Sequence, residues 1–366
     1  MSLKKDKFNS LDKKYMKFAI NLAFNQKSLT GLNPSVGCVI VKNNRIISYG
    51  VTNIKGRPHA ETIALSKNKK KNSKSTVYTT LEPCTHFGKT PPCTNALIKS
   101  KVKKIIYSIE DEDLKTKGKA KKILKLKKIN VKTGLLKRSV ESLYKDYAFV
   151  KKNKSPYVIG KLASSVNNFI LKNKNFITNY HSRQVSHILR YKNQGILTSY
   201  KTINSDDPKL TCRINGLEKF SPNRIILDKD LKIKINSYII LNSEKPKTII
   251  FHNSTNLKKI NYLKKKGVKL IFFNTDDNNY FDLKKILNKI YDIGIHKLLV
   301  ECGQNLTSKL LEQNLFNEFY FFKSNKILNN KDKIKILDIK INLHKKFENK
   351  SFINTYLDKD KLIHYY

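Results

Sequence analysis

Tryptophan is absent from this 366-residue chain, methionine occurs twice, and the 74 basic residues comprise only 7 arginines against 67 lysines. The arginine shortage argues against a dedicated nucleic-acid surface, because the planar guanidinium fork is what reads phosphate and guanine bidentately. Acidic residues number 28, which leaves a formal net charge of +46. Lysine and the 39 asparagines are read from A-rich codons, whereas tryptophan and most arginine codons carry G or C, so base bias in the gene accounts for the excess. The lysines are spread along the chain and imply weak, non-specific attraction to polyanions. No apolar run reaches the ~18 residues of a membrane-spanning helix. The opening MSLKKDKFNS lacks the apolar stretch of a secretory signal. Five cysteines at irregular spacing do not make a disulfide framework. A cytoplasmic protein without a membrane partner is expected.

Hydrophobic residues make up 39% of the chain and aromatics 10%, enough for packed cores. At ~150 residues per domain the length suits two or three domains. The first part reads as a helix over 11–24, then strands over 37–41 and 46–51 with Asn43-Asn44 turning between them. Pro58 opens a helix that runs to 66. Strands follow over 77–81, 103–109 and 131–133, with helices over 94–100 and 118–127. This alternation predicts a helix-covered, largely parallel sheet. A helical stretch from Ser139 ends in the polar run Lys151-Lys152-Asn153-Lys154-Ser155-Pro156, which sets a boundary between domains 1–152 and 153–366. The second part alternates strands over 157–162, 196–199, 224–227, 248–251, 269–273 and 297–301 with helices over 183–191, 257–265 and 306–313. Strand-like segments over 347–356 and 362–366 close it, and both halves read as α/β.

Chemistry concentrates in the first half. His59 and Glu61 open one helix, Glu82-Pro83-Cys84 follows a strand, and Pro91-Pro92-Cys93 opens another helix. One histidine and two cysteines suit tetrahedral zinc, and three protein ligands leave the fourth place for water, as in catalytic sites. Zinc lowers the pKa of that water towards neutrality. Glu61, two residues past the histidine, reaches the same cavity without binding metal and would move the water's proton to a leaving amine. The H-x-E and Pro-Cys parts match the zinc-deaminase signature, although eight residues separate Cys84 from Cys93. Any one of these residues alone is accounted for by ordinary core packing. Cys38, Cys212 and Cys302 lie in or near apolar strands and read as non-ligands.

The second half says less by itself. Val300-Glu301-Cys302-Gly303-Gln304-Asn305-Leu306 is a strand, a glycine turn and a helix start, which can offer N–H groups to a phosphate but is common without one. Arg190 ends a helix and Arg213 sits on a loop, where dipole and turn duties are the plain readings. In a chain that otherwise uses lysine, both arginines invite a bidentate role.

The stretches Asn33-Pro34-Ser35-Val36-Gly37-Cys38-Val39-Ile40-Val41 and Thr79-Thr80-Leu81-Glu82-Pro83-Cys84-Thr85-His86-Phe87-Gly88-Lys89-Thr90-Pro91-Pro92-Cys93 resemble the bifunctional riboflavin-biosynthesis deaminase–reductase family. So do Gly160 to Ser164, His187 to Arg190, Asp206 to Arg213 and Val300 to Leu306. The resemblance implies an N-terminal cytidine-deaminase-like α/β/α domain and a C-terminal dihydrofolate-reductase-like α/β domain. It implies zinc-dependent deamination of a diaminopyrimidinone carrying ribosylamine 5′-phosphate, followed by NADPH-dependent reduction of ribosyl to ribityl. Carried over, His59, Cys84 and Cys93 hold Zn2+ and Glu61 shuttles protons, with Asn33 and Lys89 near the substrate. Ser164, Phe176, Thr202, Asp206, Lys229, Gly303, Gln304, Asn305, Leu306, Thr307, Ser308 and Lys309 fall near NADPH. Lys174, Arg190, Leu210, Arg213 and Glu301 fall near the reductase substrate. The chain departs from the family at Thr52, where a histidine is usual, at Asn167-Asn168 in place of an acidic-glycine turn, and at Phe176 in place of an indole. Lys174 and Lys229 replace small hydroxyl residues.

Two other functions compete. A deaminase acting on nucleic acid or free cytidine would use the same zinc site, with Phe87 and Tyr78 as stacking rings and no duty for the second half. A non-catalytic nucleic-acid binder would need a fourth zinc ligand, for which His86 is the candidate. The oligomeric state is left open, and a homo-oligomer is compatible with the sequence.

Overall fold

The computed structural model describes residues 8–171, 176–328 and 333–366, so Lys174 lies outside the described residues. The chain forms two compact units, Met1–Lys154 and Ser155–Tyr366.

The N-terminal unit is built on a five-stranded sheet. Strands β1 (Gly37–Lys42), β2 (Arg45–Val51), β3 (Thr76–Leu81), β4 (Lys104–Ile109) and β5 (Asn130–Thr133) lie in the order β2-β1-β3-β4-β5. Only β3–β4 and β4–β5 pair in parallel, so the sheet is half antiparallel where a largely parallel one was expected. The reason is local. Asn43 and Asn44 both take positive φ, 49° and 57°, the geometry of a tight hairpin turn, and this reverses the chain between β1 and β2. Side chains alternate across the sheet. Val39 and Val41 pack with Tyr15, Met16 and Ala19 of the helix Ser10–Gln26, while Cys38 and Ile40 join Ala60, Ala64, Leu97 and Leu124 from helices on the other face. The result is an α/β/α sandwich. The first helix starts at Asn9, which exchanges hydrogen bonds with Asp12 in a capping box. The helical stretch expected from Ser139 is two helices, Lys137–Leu143 and Lys145–Asn153.

The C-terminal unit adds β6 (Tyr157–Ser164), β7 (Phe169–Leu171), β8 (Gly195–Ser199), β9 (Asn223–Leu227), β10 (Thr248–His252), β11 (Lys269–Phe272), β12 (Lys297–Val300), β13 (Glu318–Lys323), β14 (Lys333–Lys335), β15 (Lys350–Phe352) and β16 (Lys361–Tyr365). Nine of these form one sheet in the order β11-β10-β9-β8-β12-β6-β13-β16-β15, and β7 pairs with β14 apart from it. The run from β11 to β13 is parallel, while β16 and β15 add antiparallel pairs at one edge. In such sheets ligands bind beyond the carboxyl ends of the strands. Asn168 takes φ 61° in the β6–β7 turn, so asparagine fills the place of the expected glycine. The strand-like tail over 347–356 is a strand only at Lys350–Phe352, preceded by the helix Leu337–Lys346. Among the described residues no helix is long and apolar enough to cross a membrane.

Candidate active sites

Two helix starts and one loop converge on the metal site. His59 is the N-cap of the helix Ala60–Lys67, Cys93 is the first residue of the helix Cys93–Lys99, and Cys84 follows β3 by three residues. The ligand atoms of these three residues lie within 4.8 Å of one another. His59 Nδ1 is 3.3 Å from Cys93 Sγ and 3.5 Å from Cys84 Sγ. Tetrahedral zinc with bonds of ~2.0–2.3 Å needs ligand atoms about 3.5 Å apart, so the group fits the ion. The Cys93 N–H donates to Cys84 Sγ at 3.2 Å. Hydrogen bonds from Cys93 and His59 pull the Cys84 thiol down to about 4 against its burial. The same bond to Cys84, then burial, keep the Cys93 thiol protonated, and a metal would displace that proton.

Glu61 is 3% exposed, with Oε2 3.5 Å from Cys93 Sγ. Burial first, then the Cys84 thiolate, push its carboxyl up to about 7. It stands beside the ligand trio without belonging to it. Asn33 is held on both sides: Thr30 Oγ1 donates to its carbonyl at 2.6 Å, and its Nδ2 donates to the Gly56 carbonyl at 2.8 Å. A Cβ at Gly56, φ +86°, would stand 2.5 Å from that Nδ2. Lys89 is exposed on the loop before Cys93. Thr52 is buried, with Oγ1 accepting from the Val36 N–H at 2.9 Å, so at this position the chain has a backbone tie.

Two residues that support the zinc loop were not singled out in the sequence. Glu82 is buried and accepts from the N–H groups of Asp111, Gly118 and Ala120 at 3.1, 2.9 and 2.9 Å. This fixes the 111–120 segment, which in turn accepts Thr85 Oγ1 at the Lys115 carbonyl and meets His86 Nδ1 at Thr116 Oγ1. His86 is thereby directed to Thr116, and it is not part of the metal-binding group. Arg57 donates from Nη1 to Thr90 Oγ1 and holds the other end of the loop. Cys38, Cys212 and Cys302 are buried and outside the group.

In the second unit, Glu301 follows β12 directly. It receives both Nε and Nη2 of Arg190, at 2.8 and 2.9 Å, and Lys161 Nζ lies 3.8 Å away. Burial alone would raise this carboxyl, yet Arg190 and Lys161 hold it at about 2. Arg190 Nη1 donates to the Thr211 carbonyl at 3.2 Å, so its guanidinium is turned inward. Arg213 is exposed, with no side-chain hydrogen bond among the described residues, and it feels the charges of Arg190 and Glu301. Leu210, between them, is buried at φ 53°. Lys161 was not expected here, and its signal is a lysine inside an otherwise apolar strand.

The cofactor candidates divide. Gly303 caps the helix Gln304–Glu312, with open space where a Cβ would stand, as a close-lying phosphate requires. Gln304, Asn305 and Ser308 lie on its first turns, partly or fully exposed. Thr307 is buried and donates to the Gly303 carbonyl, so it braces this turn. Leu306 and Lys309 border a cleft with Tyr280, and Lys229 Nζ donates to the Asn279 carbonyl beside it. Ser164 is buried with its hydroxyl on the Ser165 carbonyl, Thr202 Oγ1 lies 3.4 Å from Ser199 Oγ, and Asp206 ends the helix Tyr200–Asp206. Phe176 is 64% exposed, with the Arg183 guanidinium 4.6 Å above its ring.

Of the stacking rings that a nucleic-acid deaminase would use, Tyr78 is buried and donates to Asp12 at 2.6 Å, leaving only Phe87 exposed. Comparison with known proteins favours the other reading. The model of the cytidine and deoxycytidylate deaminase zinc-binding region matches residues 9–109, and that of the RibD C-terminal domain matches residues 156–346. The riboflavin biosynthesis protein RibD of Aquifex aeolicus is 36% identical over 87% of this chain and 88% of its own. That of Escherichia coli is 29% identical over 87% and 88%. The solved Acinetobacter baumannii RibD superposes with a TM-score of 0.83 at 26% identity, covering 97% of this chain and 98% of that one. A diaminohydroxyphosphoribosylaminopyrimidine deaminase/5-amino-6-(5-phosphoribosylamino)uracil reductase from Thermotoga maritima does so at 0.78, with 26% identity and the same coverage. Relatives matched over most of their length, with a deaminase and a reductase model in successive halves, show that the chain belongs to the RibD family of riboflavin-biosynthesis enzymes, in which a zinc deaminase is joined to a dihydrofolate-reductase-like reductase.

Proposed function

We propose that the N-terminal unit hydrolyses the 2-amino group of 2,5-diamino-6-ribosylamino-4(3H)-pyrimidinone 5′-phosphate, and that the C-terminal unit reduces the ribosyl group of the product to ribityl with NADPH. The observation that carries this reading is Glu61, a buried carboxyl 3.5 Å from Cys93 Sγ beside a three-ligand centre. Zinc, when bound, supplies the Lewis acidity that makes water a nucleophile at neutral pH. Glu61 takes the proton that water loses as its oxygen bonds to ring carbon C2. It returns that proton to the exocyclic nitrogen as the C2–N bond breaks and ammonia leaves. Asn33, with Nδ2 already tied to Gly56, offers Oδ1 to a ring N–H, and Lys89 adds positive charge on the loop.

In the second step NADPH, when bound, would supply the hydride that ends on sugar carbon C1′ as the C1′–O4′ ring bond breaks and the freed O4′ takes a proton. Glu301 Oε1 keeps a lone pair beyond the bond it takes from Arg190 Nε, and this accepts a sugar hydroxyl, while Oε2 faces both Arg190 Nη2 and Lys161. Arg213 pairs with the 5′-phosphate, while Arg190 orients Glu301. The division of labour at about residue 153 is supported by the two compact units. Free thiols at all five cysteines suit a reducing, cytoplasmic compartment. The partners are then small molecules, with no specific nucleic acid, no membrane and room for self-association.

Ammonia release from the pyrimidine phosphate, from cytidine and from single-stranded DNA tests the reading directly. Release from the first alone, followed by NADPH oxidation, is expected. Equal rates on cytidine or DNA would overturn the substrate assignment.

A further inference from the structure

The segment that carries Arg213 is held in a conformation its sequence does not favour. Leu210 is buried at φ 53°, in the left-handed region where a Cβ crowds the following carbonyl. A residue stays there only when its neighbours fix it. Before Leu210, the Lys209 carbonyl accepts from Arg224 Nε at 3.1 Å. After it, the Thr211 carbonyl accepts twice, from His187 Nδ1 at 3.1 Å and from Arg190 Nη1 at 3.2 Å. A carbonyl has two lone pairs, and here both are used. The Cys212 N–H then donates to Ser221 Oγ at 3.0 Å, and the exposed Arg213 follows.

His187 and Arg190 stand one turn apart on the helix Tyr180–Tyr191, so they meet Thr211 from one face. Arg190 cannot take over the whole task, because its Nε and Nη2 are committed to Glu301. His187 is 6% exposed. A carbonyl only accepts, so Nδ1 carries the ring proton. Burial first, then the charges of Arg190 and Arg213, hold the imidazole pKa down to about 4, which leaves the ring neutral at working pH. A lysine at this position would add a third positive charge beside the two arginines. The histidine supplies the hydrogen bond without the charge.

We propose that His187 is a positioning residue for the substrate's 5′-phosphate: its hydrogen bond to the Thr211 carbonyl keeps Leu210 in the left-handed turn and so sets where Arg213, two residues further on, presents its fork. The proposal rests on the reductase reading above, in which Arg213 pairs with that phosphate. With the bond removed, Leu210 is free to return to an ordinary φ, and the chain leading to Arg213 turns away.

The test is steady-state NADPH oxidation by the full-length, zinc-loaded protein on the deaminated ribosylaminopyrimidine phosphate, with ribose 5-phosphate as competing inhibitor. His187→Ala and His187→Gln raise the KM for that substrate and the Ki of ribose 5-phosphate by the same factor, about five- to tenfold, as the loss of one hydrogen bond predicts. The kcat and the KM for NADPH stay within about twofold of wild type, since neither the reacting atoms nor the coenzyme is touched. His187→Asn, whose Nδ2 stands where the imidazole Nδ1 stood, keeps KM and Ki within about twofold of wild type. Asparagine and glutamine carry the same amide, so this pair decides the question even where the alanine variant does not fold. An asparagine variant as impaired as the glutamine one overturns the proposal. So does a fall in kcat at unchanged KM, or the absence of any change in all three variants. A Ki that Arg213→Ala leaves unaltered overturns the phosphate reading beneath the proposal, and a wild-type protein that oxidises no NADPH overturns the reductase reading, so the failures are told apart.

Discussion

Replacing Glu301 by glutamine probes the centre of the reductase unit. The carboxylate is 11% exposed and takes two guanidinium bonds from Arg190 at 2.8 and 2.9 Å, with Lys161 at 3.8 Å. The amide keeps the shape and removes the charge, leaving Arg190 and Lys161 as unneutralised buried cations. Breaking a buried pair in this way costs about 3–5 kcal/mol. The depressed carboxyl pKa points to the same order of magnitude. The carboxyl stands at about 2 against an ordinary 4.5, a difference that corresponds to roughly 3 kcal/mol. For a unit of this size, 3 kcal/mol lowers the melting temperature by roughly 6–12 °C.

The pH dependence follows from the sign. A carboxyl depressed in the folded state stabilises fully above its unfolded value, near 4.5, and loses that contribution as pH falls towards 2. Wild type and Glu301→Gln therefore differ most at pH 7, and the gap between their C-terminal transitions narrows from about pH 5 towards pH 2. The assay is differential scanning calorimetry of the full chain across that range, following the transition that responds to the substitution, since two units need not melt as one. A gap that is absent at pH 7, or that keeps its full size down to pH 3, would refute an ion pair as the source of the stabilisation.

The other expectations are more direct. Cys84→Ser lowers zinc content, measured by atomic absorption, and deamination together; full retention of both sinks the ligand assignment. Glu61→Gln keeps zinc and loses about 10²–10⁴ of deamination rate, and turnover above a tenth of wild type would point to a different proton carrier. Arg224→Lys destabilises the C-terminal unit by roughly 3 kcal/mol in urea titrations, because one ammonium cannot serve the Lys209, Asn242 and Pro246 carbonyls that the buried guanidinium reaches; an unchanged midpoint contradicts that accounting. Cleavage near Asn153 yields a deaminase that needs no NADPH and a reductase that needs no zinc, and fragments that fail to fold alone speak against the division at that point.

The parts of the molecule legible in the sequence are those where chemistry or backbone geometry narrows the choice of residue. Zinc accepts few side chains, so His59, Cys84 and Cys93 stand out together, and Asn43, Asn44 and Asn168 announce turns because few other residues tolerate positive φ. What was missed depends on contacts. Strand β13, Glu-Phe-Tyr-Phe-Phe-Lys, lies inside the sheet and lacks the alternation that marks a half-exposed strand. The segment Leu337–Lys346 alternates apolar and polar residues like a strand, yet it coils so that Ile336, Ile339 and Leu343 fall at helical spacing and are buried. Glu82 reads as part of the cysteine motif, and only the fold shows three N–H groups gathered round it.

The composition carried more than its charge suggested. Where 67 of 74 basic positions are lysine, an arginine that persists marks a place where one ammonium does not suffice. Arg45 and Arg138 are exposed and carry no such mark. The other five each meet a site or a segment that bears one. Arg57 ties the zinc loop at Thr90, and Arg183 lies over the ring of Phe176 while donating to the Thr178 carbonyl. Arg190 grips both oxygens of Glu301, and Arg224 gathers carbonyls, among them that of Lys209 just before Leu210. Arg213 stands exposed at the end of the same segment. Four of the five use what lysine lacks, either a fork that spans two acceptors or a plane that stacks. Arg213 makes no side-chain hydrogen bond among the described residues, and the proposed 5′-phosphate is a partner that its fork fits. Arginines kept in so lysine-rich a chain thus stand mostly where the local geometry asks for a fork or a plane.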